Sequence, residues 1–243
     1  MRILITNDDG ITEDGIVRLA KHAIRFGEVW VVAPKEQRSA ESHRITLRKP
    51  LDIYPYDFPV EGVHAFHCSG TPADCIRVGS LGVMPEKPDV VLAGINHGYN
   101  VATDTQYSAT VGAAFEGAFQ GCLSVALSED TEGNPEVTEK FIDEILERLL
   151  SEKPPYGHIY NVNFPTCPLG ECGGVLWNRE VSRGVIYRDT YNAIEALENG
   201  GKKYMVHGEK ESEAEEGTDL WAVFNNYVSV SLVNNVGVSL GNE

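Results

Sequence analysis

Short, unbroken apolar runs alternate with helix-period stretches over the first 130 residues. The runs fall at 3–6, 29–33, 89–93 and 123–127, and each predicts a strand buried on both faces of a mainly parallel sheet. Between the first two, Ile16, Leu19, Ala20, Ala23 and Ile24 recur with a helical period that Gly27 closes. A second helix is signalled where Thr71 can cap, Pro72 suits the first turn and Asp74 faces the positive end of the dipole. A third begins near Ser108 in "YSATVGAAFEGAFQG", whose small residues allow close packing on a sheet, and a fourth spans 135–150. Strand and helix in regular alternation predict a doubly wound α/β fold.

Beyond the regular part the pattern loosens. Residues 45–56 alternate and predict an inserted strand or hairpin, and 158–165 predict a further strand. From Cys167 onward Gly, Asn and charged residues dominate. Residues 207–217, "HGEKESEAEEG", read as a solvated loop, and 227–233, "YVSVSLV", as a half-buried strand. We expect one domain over 1–243, with a core of 1–166 and a β-rich extension of 167–243 that acts as an arm packing on a neighbour.

Composition narrows the function. The 243 residues, 42% apolar and 23% charged, suffice for one sizeable core. No run approaches the roughly 18 apolar residues of a membrane span, and the N-terminus does not resemble a signal peptide, so no membrane association and a cytoplasmic location are expected. Five scattered cysteines give neither a disulfide framework nor a zinc pattern. A net charge of −16 disfavours a nucleic-acid polymer as partner. A small phosphorylated ligand remains compatible if a metal or local bases reverse the field at one site.

Three strands end in unusual polar loops: Asn7-Asp8-Asp9-Gly10, "PKEQRSAESHR" and "GINHGYNVATDTQYSATVG". In a doubly wound sheet such loops meet beyond the carboxyl ends of the strands, where ligands bind. Adjacent Asp8 and Asp9 repel unless a cation or a shared proton holds them. Carboxylates, hydroxyls and amides together suit a hard divalent cation such as Mg²⁺ or Mn²⁺ better than zinc. Ser108 and Thr110, at a helix start, offer N-capping or an anion seat. Neither a Gly-x-Gly-x-x-Gly after the first strand nor a Walker motif is present. The spacing of the acids also departs from the Asp-x-Asp of haloacid dehalogenase-type phosphatases. A receiver domain would require an acceptor Asp where this chain reads Gly94-Ile95-Asn96.

Asn7-Asp8-Asp9-Gly10, Ser39, "SGTPADC" (69–75), "PDVVLAGINHGYN" (88–100) and "YSATVGAAFEG" (107–117) together resemble the SurE family of metal-dependent 5′-nucleotidases. "NVNFP", "GTDLWA" and "YVSVSLV" extend the likeness, in order, over nearly the whole chain. The resemblance implies a Rossmann-like fold and a phosphomonoesterase acting on nucleoside monophosphates, with 3′-nucleotides and short polyphosphate as further substrates. It implies one divalent cation on Asp8, Asp9, Ser39 and Asn96, with Asp8 and Asp9 also in catalysis. Phosphate would lie against Ser39, Asn96, Ser108 and Thr110. Assembly as a homodimer or homotetramer through the C-terminal extension is implied as well. Ala40, Ala102 and Ala109 stand where the family usually carries glycine, so a nucleotide-binding protein with reduced or lost catalysis is the alternative.

Overall fold

In the computed structural model, which describes residues 1–131 and 133–235, the N-terminal apolar runs form the centre of a nine-stranded sheet. Chain order gives β1 (Arg2–Thr6), α1 (Asp14–Ala23), β2 (Glu28–Pro34), β3 (Ile53–Pro55), β4 (His64–Cys68) and α2 (Pro72–Val78). Next come β5 (Val90–His97), α3 (Ala109–Phe119), β6 (Leu123–Glu129), α4 (Glu136–Leu149) and β7 (His158–Phe164). The remainder supplies β8 (Val175–Trp177), β9 (Tyr187–Ala196), β10 (Lys202–Lys210), α5 (Asp219–Phe224) and β11 (Val228–Asn234).

Across the sheet the order is β3-β4-β2-β1-β5-β6-β7-β11-β8. The pairs from β4 through β7 are parallel, and β3 and β11 join β4 and β7 antiparallel. Strand order therefore runs outward in both directions from β1 and β5, which places the switch point between their carboxyl ends.

Alternation along the central strands feeds two cores. Ile3 and Ile5 turn toward α1 and α4, where Ile16, Leu19, Ile142 and Leu146 meet them. Leu4 turns the other way, toward Ile76 of α2 and Val111 and Phe115 of α3. Both faces are covered, so the strands read as continuous apolar runs. α2 begins as the sequence suggests: Thr71 and Asp74 form a reciprocal capping box with Pro72 in the first turn.

Four expectations need correction. Only Ile53–Pro55 of the 45–56 segment is a strand. The stretch before it serves as a tether instead, with the Thr46 N–H donating to Asp74 Oδ1 at 2.7 Å. β5 runs on to His97, past the predicted end at 93. Residues 207–210, read as loop, belong to β10, which pairs with β9 in a two-stranded ribbon outside the main sheet. Every residue of both strands is exposed, so no apolar periodicity marks them. Finally, 227–233 is not a half-buried strand. β11 lies between β7 and β8 with Ser229 and Ser231 buried, so its Val/Ser alternation hides a strand covered on both faces from Val228 to Ser231, with Leu232 exposed beyond it. Residues 236–243 of the expected extension lie outside the described residues.

Candidate active site

Beyond Thr6, Asn7 folds the turn back on itself. Its Nδ2 donates to Gly10 O at 2.9 Å, and the Gly10 N–H donates to its Oδ1 at 3.3 Å. Gly10 takes φ 122°, which a Cβ would resist. This turn sets Asp8 inward, only 4% exposed, and Asp9 half-buried beside it. Thr110, fully buried in the first turn of α3, donates its hydroxyl to Asp8 Oδ1.

Burial, opposed by the Thr110 hydrogen bond and reinforced by the charge of Asp9, pushes the Asp8 carboxyl up to about 7. Burial also raises Asp9, tempered by the His97 N–H that donates to Asp9 Oδ2 at 3.2 Å. Among the described residues neither carboxylate has an ion-pair partner. A buried Asp8 beside a half-buried Asp9, neither with an ion-pair partner among the described residues, is what a bound cation or a proton would neutralise, so the residues present fit a hard cation.

Asp8, Ser39, Asn96 and Ser108 line one cleft of about 340 Å³. Asp9 instead lines an adjoining cleft of about 580 Å³, and His97 borders both. Asn96, at the end of β5, donates Nδ2 to Gly98 O at 2.7 Å, and its amide oxygen has no partner among the described residues. Ser39 is exposed on the loop after β2 and accepts from Gln37 Nε2 at 3.1 Å. Ser108 caps α3 by accepting from the Val111 N–H at 3.0 Å, while its own hydroxyl proton stays available to the cleft. Thr110 does not line the cleft; it meets the others through Asp8. Among the described residues no three His, Cys, Asp or Glu side chains converge, so any cation here depends on mixed oxygen donors.

The surrounding loops are held by residues whose roles sequence reasoning missed. The Asn100 N–H donates to Asn163 Oδ1 at 2.8 Å, Asn161 Nδ2 donates to Asn100 O at 2.7 Å, and Asn100 Nδ2 donates to Ser128 Oγ at 2.8 Å. Buried Asp219 accepts from the N–H groups of Ala102 (3.1 Å), Ser182 (2.8 Å) and Leu220 (2.7 Å). "NVNFP" and "GTDLWA" were visible as motifs, but nothing local says that they clamp the 98–106 loop. The loop after β2, which carries Lys35, Arg38 and Arg44, is engaged too. His43 Nε2 lies 2.9 Å from Glu116 Oε2, and Arg44 pairs with Glu41 at 3.2 Å.

The SurE family model, described as "Survival protein SurE", matches residues 3–185. A relative from Thermosipho melanesiensis named 5′-nucleotidase SurE is 40% identical over 245 residues, covering 100% of this chain and 94% of its own. One of the same name from Chlorobium chlorochromatii is 39% identical over 240 residues, covering 94% and 84%. Among solved structures, the SurE protein of Aquifex aeolicus superposes with a TM-score of 0.83 at 34% identity, covering 98% of this chain and 95% of that one.

Proposed function

The chain belongs to the SurE family, and from that premise we propose that it is a phosphomonoesterase releasing phosphate from nucleoside 5′-monophosphates. The observation that carries the reading is the buried Asp8, without a cationic partner among the described residues, opening with Ser39, Asn96 and Ser108 on one cleft beyond the switch point. Asp8, Asp9, Ser39 and Asn96 would hold one divalent ion, Mg²⁺ or Mn²⁺, which supplies Lewis-acid activation of phosphate and of the attacking water. The Ser108 hydroxyl and the free N–H groups opening α3 receive the phosphate oxygens, where negative charge is stabilised during transfer. Thr110 orients Asp8, which keeps one carboxylate oxygen directed by a buried donor. Asp9, half-buried and bordering the larger cleft, would orient the incoming water or accept its proton.

Phosphate release from a nucleotide panel, including 3′-nucleotides and short polyphosphate, tests this reading with Mg²⁺, Mn²⁺ or chelator. Asp8→Asn and Asp9→Asn are expected to lose several kcal/mol of transition-state stabilisation, about 100-fold or more in rate, with the circular dichroism spectrum preserved. Undiminished turnover in chelator overturns the assignment. The backbone at Ala40 and Ala102 favours a second reading, a nucleotide-binding protein with reduced or lost catalysis, and nucleotide binding without phosphate release would select it. The exposed C-terminal ribbon supports assembly as a homodimer or homotetramer, and five free cysteines support a cytoplasmic location. No helix among the described residues is long and apolar enough to cross a membrane.

A further inference from the structure

Asp104 lines the same cleft as Asp8, Ser39, Asn96 and Ser108, yet none of the roles above uses it. It sits in the 3₁₀ segment Ala102–Gln106, which leads into α3. Its main chain is fully engaged: the N–H donates to Val101 O at 3.2 Å, and the carbonyl accepts from Tyr107 and Ser108 N–H groups, each at 3.1 Å. The side chain is different. It is half-buried, and no hydrogen bond or ion pair engages the carboxylate among the described residues. Asp189, at the base of the β9–β10 ribbon, is the charge it feels, and that is a repulsion.

Asp8 meets the phosphate through the cation it would hold, but Asp104 is outside that ligand set, so its carboxylate repels the phosphate and faces an uncharged, donor-bearing part of the ligand. In a nucleoside monophosphate that part is either the ribose diol or an exocyclic base amine. Position selects between them. The Ser108 N–H bonds to the Asp104 carbonyl at 3.1 Å, so the carboxylate springs from a residue one hydrogen-bonded turn away from the phosphate seat. The sugar is the moiety attached directly to the phosphate, and the base lies farther out. A free carboxylate can accept one hydrogen bond on each oxygen from two vicinal hydroxyls, and charge-assisted bonds of this kind are the stronger class.

We propose that Asp104 is a specificity-determining residue that accepts the 2′- and 3′-hydroxyls of the ribose, so that among nucleoside 5′-monophosphates the cleft favours those that carry the diol. The inference rests on the phosphomonoesterase reading. The test compares kcat/KM for adenosine 5′-monophosphate and its 2′,3′-dideoxy analogue in the wild-type protein, Asp104→Asn and Asp104→Ala, at saturating metal. Wild type should prefer the diol about tenfold or more, as expected for hydrogen bonds to a charged group. Asp104→Ala should bring the ratio close to one, chiefly through KM, and Asp104→Asn, which keeps one acceptor, should fall between. A wild type indifferent to the diol overturns the proposal, as does an Asp104→Ala variant that slows both substrates equally and keeps their ratio. Failure of the underlying reading looks different: wild type would then release no phosphate from either nucleotide, nor from p-nitrophenyl phosphate, which has no sugar.

Discussion

Ala40 and Ala102 hold φ values of 57° and 53°, the left-handed region in which a Cβ costs about 1 kcal/mol or more. Ala109 opens α3 with ordinary helical geometry. Three departures that look alike in the sequence are thus physically different. Ala40 is exposed, so Ala40→Gly relieves strain while losing little burial. Its melting temperature should rise by about 2 °C, the shift expected for a net gain near 0.5–1 kcal/mol in a chain of this size. Ala102 is 1% exposed, and glycine there gives up a buried methyl worth about 0.8 kcal/mol, so Ala102→Gly should melt close to wild type. A stabilised Ala109→Gly with an unchanged Ala40→Gly would contradict this ordering. That glycine is usual at these positions came from the family resemblance; that two of the three alanines carry strain required the backbone.

Loops, rather than strands, decide whether the site is assembled, and two buried acids pin them. Asp219, at the start of α5, binds three N–H groups from three segments through two oxygens. Asp219→Asn presents only one acceptor oxygen, leaving at least one buried donor unpaired. That should cost about 1–3 kcal/mol by urea denaturation and lower turnover through the Ala102 loop. Glu116, in α3, ties that helix to the loop after β2 through His43 and to α2 through Arg77 at 3.0 Å. Burial works to raise its carboxyl, but bonds from His43 and Gln120 and the Arg77 charge outweigh it and hold Glu116 below its ordinary 4.5. The unfolded chain therefore binds this proton more tightly than the folded one. The stability Glu116 contributes is complete above pH 4.5 and disappears as pH falls through the lower folded value. The stability gap between wild type and Glu116→Gln should accordingly shrink on acidification from about pH 7 to about pH 3. A gap that does not change with pH would assign Glu116 no such ion-pairing role.

At the scale of the molecule, the ribbon of β9 and β10 is the part left uncovered. Tyr191, Ile194, Tyr204 and Met205 are each more than half exposed on a two-stranded element that lacks a packed face. Isolated hairpins are marginal in water, and exposed apolar residues on one mark an interaction surface. We expect the full chain to sediment as a dimer or tetramer. Replacing 190–207 by a short Gly-Ser turn should yield a smaller species that keeps its helical signal. An unchanged sedimentation coefficient per chain would show that the ribbon does not mediate assembly. We propose this ribbon as the arm, while β8 and β11, from the same C-terminal stretch, complete the main sheet.

The sequence alone determined the central strands, the four major helices and the doubly wound class, because burial on both faces writes itself as local apolar runs and caps. It also singled out the acid pair and the loops beside it, since in a doubly wound sheet polar loops after the strands gather where ligands bind. Tertiary structure alone decided that Asp8 is buried against Thr110 while Asp9 opens on another cleft, and that Asn161, Asn163 and Asp219 clamp a loop far away in sequence. It also decided that Val/Ser alternation in β11 is interior and that a polar stretch is a ribbon. Hydrogen bonds between residues some 60 to 120 positions apart leave no periodic trace in either segment, so only folding, by bringing the partners together, assigns them their roles.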